Sequence, residues 1–96
     1  MEIILTDRFL TLVEECTDYI ALDHKPTAIK WAENIFEHCE QLKKQPASGR
    51  VVPEFNRPET RELIHGNYRL VYELKTNRIE MLTIWHNSQI LPKKPY

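Results

Sequence analysis

Glycine, cysteine and long apolar runs are what this sequence has least of. Two Gly stand against six Pro in 96 residues, and there is no low-complexity tract, internal repeat or linker, which excludes a repeat array and a two-domain chain. No apolar run approaches the roughly 20 residues that span a bilayer. The amino-terminal stretch MEIILTDRF has neither a basic lead nor a small-residue cleavage site and does not resemble a signal peptide, so a cytoplasmic location is expected. The two cysteines, Cys16 and Cys39, fall on apolar faces of predicted helices. They lie at unequal distances from the intervening turn, eight residues before His24 and fourteen after Lys25. They are therefore expected to be reduced core thiols and not a disulfide. No His sits at the tight spacing that a two-Cys metal site needs, so neither a metal nor a cofactor is expected.

What is present fits one globular domain covering residues 1–96. The apolar share of 42% is too high for a disordered chain, and a second core would not fit in this length. So short a chain leaves much surface exposed, and its stability margin should be thin. The net charge of −1 is unevenly spread. Residues 1–49 carry five basic side chains against nine acidic, and residues 50–96 carry eight against five. Five of the six arginines (Arg50, Arg57, Arg61, Arg69 and Arg78) lie in the second half. A basic face for an acidic partner is one meaning of this pattern; two ordinary solvated surfaces are the other.

Along the chain, Glu2–Thr6 is a short apolar run suited to a buried strand. Thr6 or Asp7 can cap the helix that follows. From Arg8 to about Leu22, Phe9, Leu12, Val13, Cys16 and Ile20 recur at intervals of three and four and predict an amphipathic helix. Asp23, His24 and Lys25 break it, and Pro26 suits the first position of a second helix. That helix is expected to run to about Lys44, with Ala28, Ala32, Ile35, Cys39 and Leu42 on its apolar face. Trp31 and Phe36 should widen this face, and Lys43 and Lys44 suit its negative end. Two such helices joined so closely must form an antiparallel hairpin. Residues 45–58 are a Pro-bearing connector, after which the period changes to two. Arg61–His65 is a predicted strand, and Gly66-Asn67 is a hairpin signal. Tyr68–Lys75 alternates, with Tyr68, Leu70, Tyr72 and Leu74 on one face and Arg69, Val71 and Glu73 on the other. Arg78–His86 is apolar on both sides, with Ile79, Met81 and Trp85 set against Leu82 and Ile84, which suits a central strand. The tail from Asn87 to Tyr96 should be irregular. The expected fold class is α+β in the order β-α-α-β-β-β. The helical hairpin packs on a curved, mainly antiparallel sheet to which the first strand is added.

One series of residues spans nearly the whole chain. It comprises Pro46 to Glu54 with Gly49-Arg50 and Pro53-Glu54, then Arg61-Glu62-Leu63, then Tyr68-Arg69-Leu70-Val71-Tyr72, then His86 followed by Leu91-Pro92. This series resembles the RelE/ParE toxin family of type II toxin–antitoxin systems. The resemblance implies a growth-inhibiting toxin neutralised by a cognate antitoxin, meeting operator DNA only through that antitoxin. RelE-like members cut messenger RNA on the ribosome, and ParE-like members poison DNA gyrase. Carried over from one RNA-cutting subset, the catalytic positions would be Glu54, Arg69 and His86. There a general base takes the 2′-hydroxyl proton, an Arg stabilises phosphoryl charge and an acid protonates the leaving oxygen, without a metal. Each of the three also has a plain structural role open to it: a solvated carboxylate, a partner for Glu62 and a strand end. His24, His38 and His65 are assigned no role.

Two features favour the ParE-like branch. The sequence pI is near 6.4, whereas a protein docking on ribosomal RNA gains affinity from excess positive charge. The residues after His86 are Asn87-Ser88-Gln89, where many RNA-cutting members carry an Arg pair. The expectation is therefore a gyrase poison that is not an enzyme, with Arg50, Arg57 and Arg61 as candidates for contacting the antitoxin or target. The alternatives are a ribosome-dependent messenger RNA endonuclease and a degenerate member that only binds its antitoxin as co-repressor.

Overall fold

The computed structural model describes residues 1–87. The Leu91-Pro92 pair and all but the first residue of the tail expected to be irregular lie outside the described residues. The elements are β1 (Glu2–Leu5), α1 (Asp7–Ala21), α2 (Lys25–Lys44), β2 (Arg50–Val51), β3 (Thr60–His65), β4 (Tyr68–Leu74) and β5 (Arg78–His86). They form the α+β architecture expected from the sequence, with one strand added. The two-residue β2 emerges from the connector and pairs antiparallel with β3. The sheet order is β1-β5-β4-β3-β2. β1 runs parallel to β5, with Glu2 opposite Arg78, and β3, β4 and β5 form an antiparallel meander. Among the described residues no helix is long and apolar enough to cross a membrane.

Local chemistry sets the helix ends. Thr6 is extended and its hydroxyl accepts the Phe9 N–H at 3.2 Å, a cap worth about 1 kcal/mol. The same hydroxyl donates to the Met81 carbonyl at 2.7 Å, which ties the start of α1 to β5. α2 is capped by His24, whose Nδ1 accepts the Thr27 N–H at 3.3 Å. A histidine given no role by its sequence context therefore starts the second helix. The cations Lys43 and Lys44 sit in its last turn, where the helix dipole favours them. At the Gly66-Asn67 turn only Gly66 adopts positive φ, at 58°, a conformation open to glycine without steric cost.

The main core lies between the layers. Phe9 and Val13 of α1 meet Ile35, Cys39 and Leu42 of α2 over Leu70, Tyr72, Ile79, Met81 and Ile84 of the sheet. Leu12 and Cys16 are partly buried at its margin, and both cysteines are free. Phe36 departs from expectation: it is 40% exposed, because the step of about 100° from the buried Ile35 carries it off the inner face.

β5 departs more instructively. Val71 pairs with Thr83 but Tyr72 with Met81, so Leu82 is an extra residue in a β-bulge. A bulge reverses the alternation beyond it. Ile84 therefore joins Ile79 and Met81 on the helix side, while Trp85 turns to the opposite side with Val52 and Val71. The expected grouping of Ile79, Met81 and Trp85 is corrected accordingly.

Candidate functional site

The sheet face opposite the helices carries the chemistry. Residues of β3 and β4 alternate across the sheet, so Glu62 and Arg69 share this face with Val71. The connector is held against it by Val52, which is buried with Val71 and Trp85, and by Phe55, whose ring centroid lies 5.8 Å from that of Trp85. Asn56, at φ 51°, then turns the chain away, using the tolerance of Asn for left-handed backbone.

The connector's entry depends on Gly49 and Tyr72. The Tyr72 hydroxyl donates to the Pro46 carbonyl at 2.9 Å and accepts the Gly49 N–H at 3.0 Å. A Cβ at Gly49 would fall 2.5 Å from that hydroxyl oxygen and 2.7 Å from the Glu62 carbonyl oxygen. Only glycine permits this approach. Arg61 closes the loop from the other side, donating through Nη1 to the Gly49 carbonyl at 2.9 Å and through Nε to the Pro58 carbonyl at 3.0 Å.

On this frame four charges alternate. The carboxylate of Glu62 is fully buried and accepts Arg50 Nε at 2.6 Å on one oxygen and Arg69 Nε at 2.6 Å on the other. The terminal nitrogens of Arg69 donate to both oxygens of Glu54, at 2.8 and 2.7 Å. The row Arg50–Glu62–Arg69–Glu54 is neutral as a whole, and bidentate pairing of this kind gives both strength and fixed orientation. Hydrogen bonding from Arg69 holds the Glu54 carboxyl down at about 2. The two carboxylates in turn raise Arg69 above the usual arginine value, Glu54 most strongly.

The sequence candidates therefore separate. Glu54 and Arg69 are brought together, in direct contact. His86 is not with them: it pairs across the sheet with Tyr68, ring centroids 5.3 Å apart, and Tyr68 packs on the helix-side core. Arg69 and Trp85, the next pair along, point the other way. A carboxylate held near 2 is also a poor proton acceptor at neutral pH, since general bases work best with pKa values near the operating pH. Any phosphate approaching Arg69 must compete with two carboxylates already bound. Of the arginines proposed for partner contact, Arg61 is committed to the connector's backbone and Arg57 meets Glu59 at 2.8 Å. Arg50 keeps 58% of its side chain exposed beside Glu62. Glu62 itself, the hub of the row, was not singled out by sequence reasoning beyond its place in the Arg61-Glu62-Leu63 series. Its alternation with Leu63, which packs on the helix-side core, puts it on the outer face, where a charged residue is ordinary, so the strand pattern gave no signal of its burial.

The family model of the ParE toxin of the type II toxin–antitoxin system parDE matches residues 3–91. Among solved structures, one described as the chromosomal ParDE TA system from P. aeruginosa is similar in fold, with a TM-score of 0.73 at 21% identity over 90% of this chain and 95% of that one. No curated protein matches at a significant level.

Proposed function

The chain belongs to the ParE toxin family of type II toxin–antitoxin systems, and on that premise we propose that it stops growth by poisoning DNA gyrase in the cytoplasm and is neutralised by a cognate antitoxin. The observation that carries the choice of target is the division between Glu54 with Arg69 and His86. Metal-independent RNA cleavage of the RelE-like kind needs a base, a phosphoryl-stabilising cation and an acid around a single phosphate. Here the base candidate is ion-paired to the cation and the acid candidate pairs with Tyr68 on the opposite face of the sheet. A toxin that acts by binding a protein needs none of the three to be free. The low pI supports the same reading, because affinity for ribosomal RNA comes largely from phosphate neutralisation.

The antitoxin in this reading is small and acidic, and its carboxylates engage the exposed flank of Arg50. Co-expression with neighbouring reading frames should yield a tight complex, and growth arrest should appear when the toxin is induced alone. Absence of arrest would instead favour a degenerate, co-repressing member. The target is tested with purified wild type and His86→Ala on gyrase supercoiling and on ribosome-bound messages in parallel. The expected result is inhibited supercoiling or trapped cleaved DNA in both proteins, with messages intact. Message cleavage that disappears in His86→Ala while gyrase is untouched would overturn the proposal in favour of an RNA-cutting enzyme.

A further inference from the structure

We propose that His38 and His65 together form a two-imidazole site for a borderline transition-metal ion, such as Zn²⁺, Ni²⁺ or Cu²⁺, that ties α2 to the β3–β4 hairpin. The two residues are 27 positions apart in sequence, one on the helix layer and one at the end of β3. Folding nevertheless sets His38 Nε2 and His65 Nδ1 3.2 Å from each other. An ion about 2.0–2.1 Å from each nitrogen, the usual imidazole–zinc distance, would at that separation subtend an angle of about 100°. This lies between the right angle of octahedral neighbours and the tetrahedral angle.

The pair is held in place by its surroundings. Its ring centroids are 5.0 Å apart with planes inclined at 71°, and Trp31 lies against His65 at 6.1 Å. Both rings remain partly exposed, so an ion has access. A shallow groove of about 400 Å³, lined in part by Trp31, Asn34 and His65, opens beside His65 and has room for coordinating waters. Among the described residues no cluster of three or more His, Cys, Asp or Glu is formed. The site therefore leaves coordination positions to solvent, and its ion should exchange readily. Imidazole donors without thiolate or carboxylate select Zn²⁺, Ni²⁺ or Cu²⁺ over Mg²⁺ and Ca²⁺.

The proton balance is simple. In the empty pair one ring donates its N–H to the other. To bind an ion both facing nitrogens must offer lone pairs, so that proton relocates, through solvent, to the far nitrogen of the same ring. Two neutral rings then form two metal–nitrogen bonds with no net proton released.

The test uses the full chain titrated separately with Cu²⁺ and Zn²⁺. Cu²⁺ should quench Trp31 emission saturably and reversibly with EDTA, and Zn²⁺ should raise the melting temperature, while Mg²⁺ does neither. His38→Ala and His65→Ala should each weaken Cu²⁺ binding by at least about tenfold, at the lower edge of what perturbing a metal site costs. Glu14→Ala, on the exposed face of α1, should bind like wild type. If either pair variant misfolds, imidazole NMR of the wild-type protein replaces it, with Zn²⁺ expected to shift the His38 and His65 ring signals selectively. Unchanged affinity in both pair variants, or ring shifts confined to other histidines, would overturn the proposal. Neither outcome depends on whether gyrase is the toxin's target.

Discussion

Arg69→Ala removes the one cation that two carboxylates share, and the structure sets the size of the effect. Glu62 is fully buried and retains only Arg50, itself 58% exposed, while Glu54 loses both of its hydrogen bonds from Arg69. Breaking one side of a buried ion pair typically costs about 3–5 kcal/mol, most of it from the charge left behind. Because Arg50 still compensates Glu62, the lower end, about 3 kcal/mol, is expected here. For a domain of this size that corresponds to a fall in Tm of about 12–24 °C, and to a large part of a total stability of about 5–14 kcal/mol. Arg50→Ala removes an exposed partner and should cost about 1 kcal/mol or less. Glu54→Gln should also cost no more than about 1 kcal/mol, since Glu54 is 45% exposed and solvent screens its pairing. The check is urea denaturation of the three variants, reading the midpoint at constant slope. If Arg69→Ala unfolds within about 1 kcal/mol of wild type, Glu62 is not a buried hub; if Arg50→Ala costs as much as Arg69→Ala, solvent does not screen the Arg50 pairing.

Four further outcomes are expected. Ile35→Ala, fully buried, should cost about 2–5 kcal/mol, and Leu12→Ala, at the core margin, distinctly less; equal denaturation midpoints would contradict the helix faces. Tyr72→Phe should cost about 1–3 kcal/mol by leaving the Gly49 N–H and the Pro46 carbonyl without their partner. Gly49→Ala should release the connector by collision with the same ring, seen as faster proteolysis within residues 45–59. In acid, Glu54 has its folded pKa lowered from 4.5 to about 2. Its contribution is thus complete above the unfolded value and lost as pH falls through the interval between the two. Stability curves of wild type and Glu54→Gln should converge across that interval, and parallel curves would refute the pairing.

Periodicity and end signals made much of the fold legible. The three-and-four spacing of Phe9, Val13, Ile35, Cys39 and Leu42 marks residues that are indeed buried, and Thr6 caps where a short polar side chain should. What periodicity could not carry were features decided by tertiary pairing. β2 is two residues long and exists because β3 offers it an edge, so no local pattern announces it. The bulge at Leu82 leaves no mark in a segment that is apolar at nearly every position. At the candidate site, Glu54 and Arg69 were visible as residue types in a familiar order. That they pair directly, with Arg69 also held by the buried Glu62, depends on the connector covering the outer sheet face, which strand alternation does not express. The contact between His38 and His65 arises from the packing of a helix on a hairpin and was equally invisible.

The parallel pairing of β1 with β5 bears on how the protein is made. Glu2 lies opposite Arg78, so the first strand emerges from the ribosome long before its partner exists. At about 5–20 residues per second, the intervening chain takes about 4–15 s to synthesise. During that interval the helical hairpin can form from local contacts, but β5, an interior strand of the sheet, is missing and the hairpin's apolar inner surface has nothing to close over. Contacts this distant in sequence are also the slow ones to establish. A nascent chain therefore has no complete sheet until Arg78–His86 has left the ribosome. Premature termination anywhere before residue 78 should leave a fragment without the fold, and so without its activity.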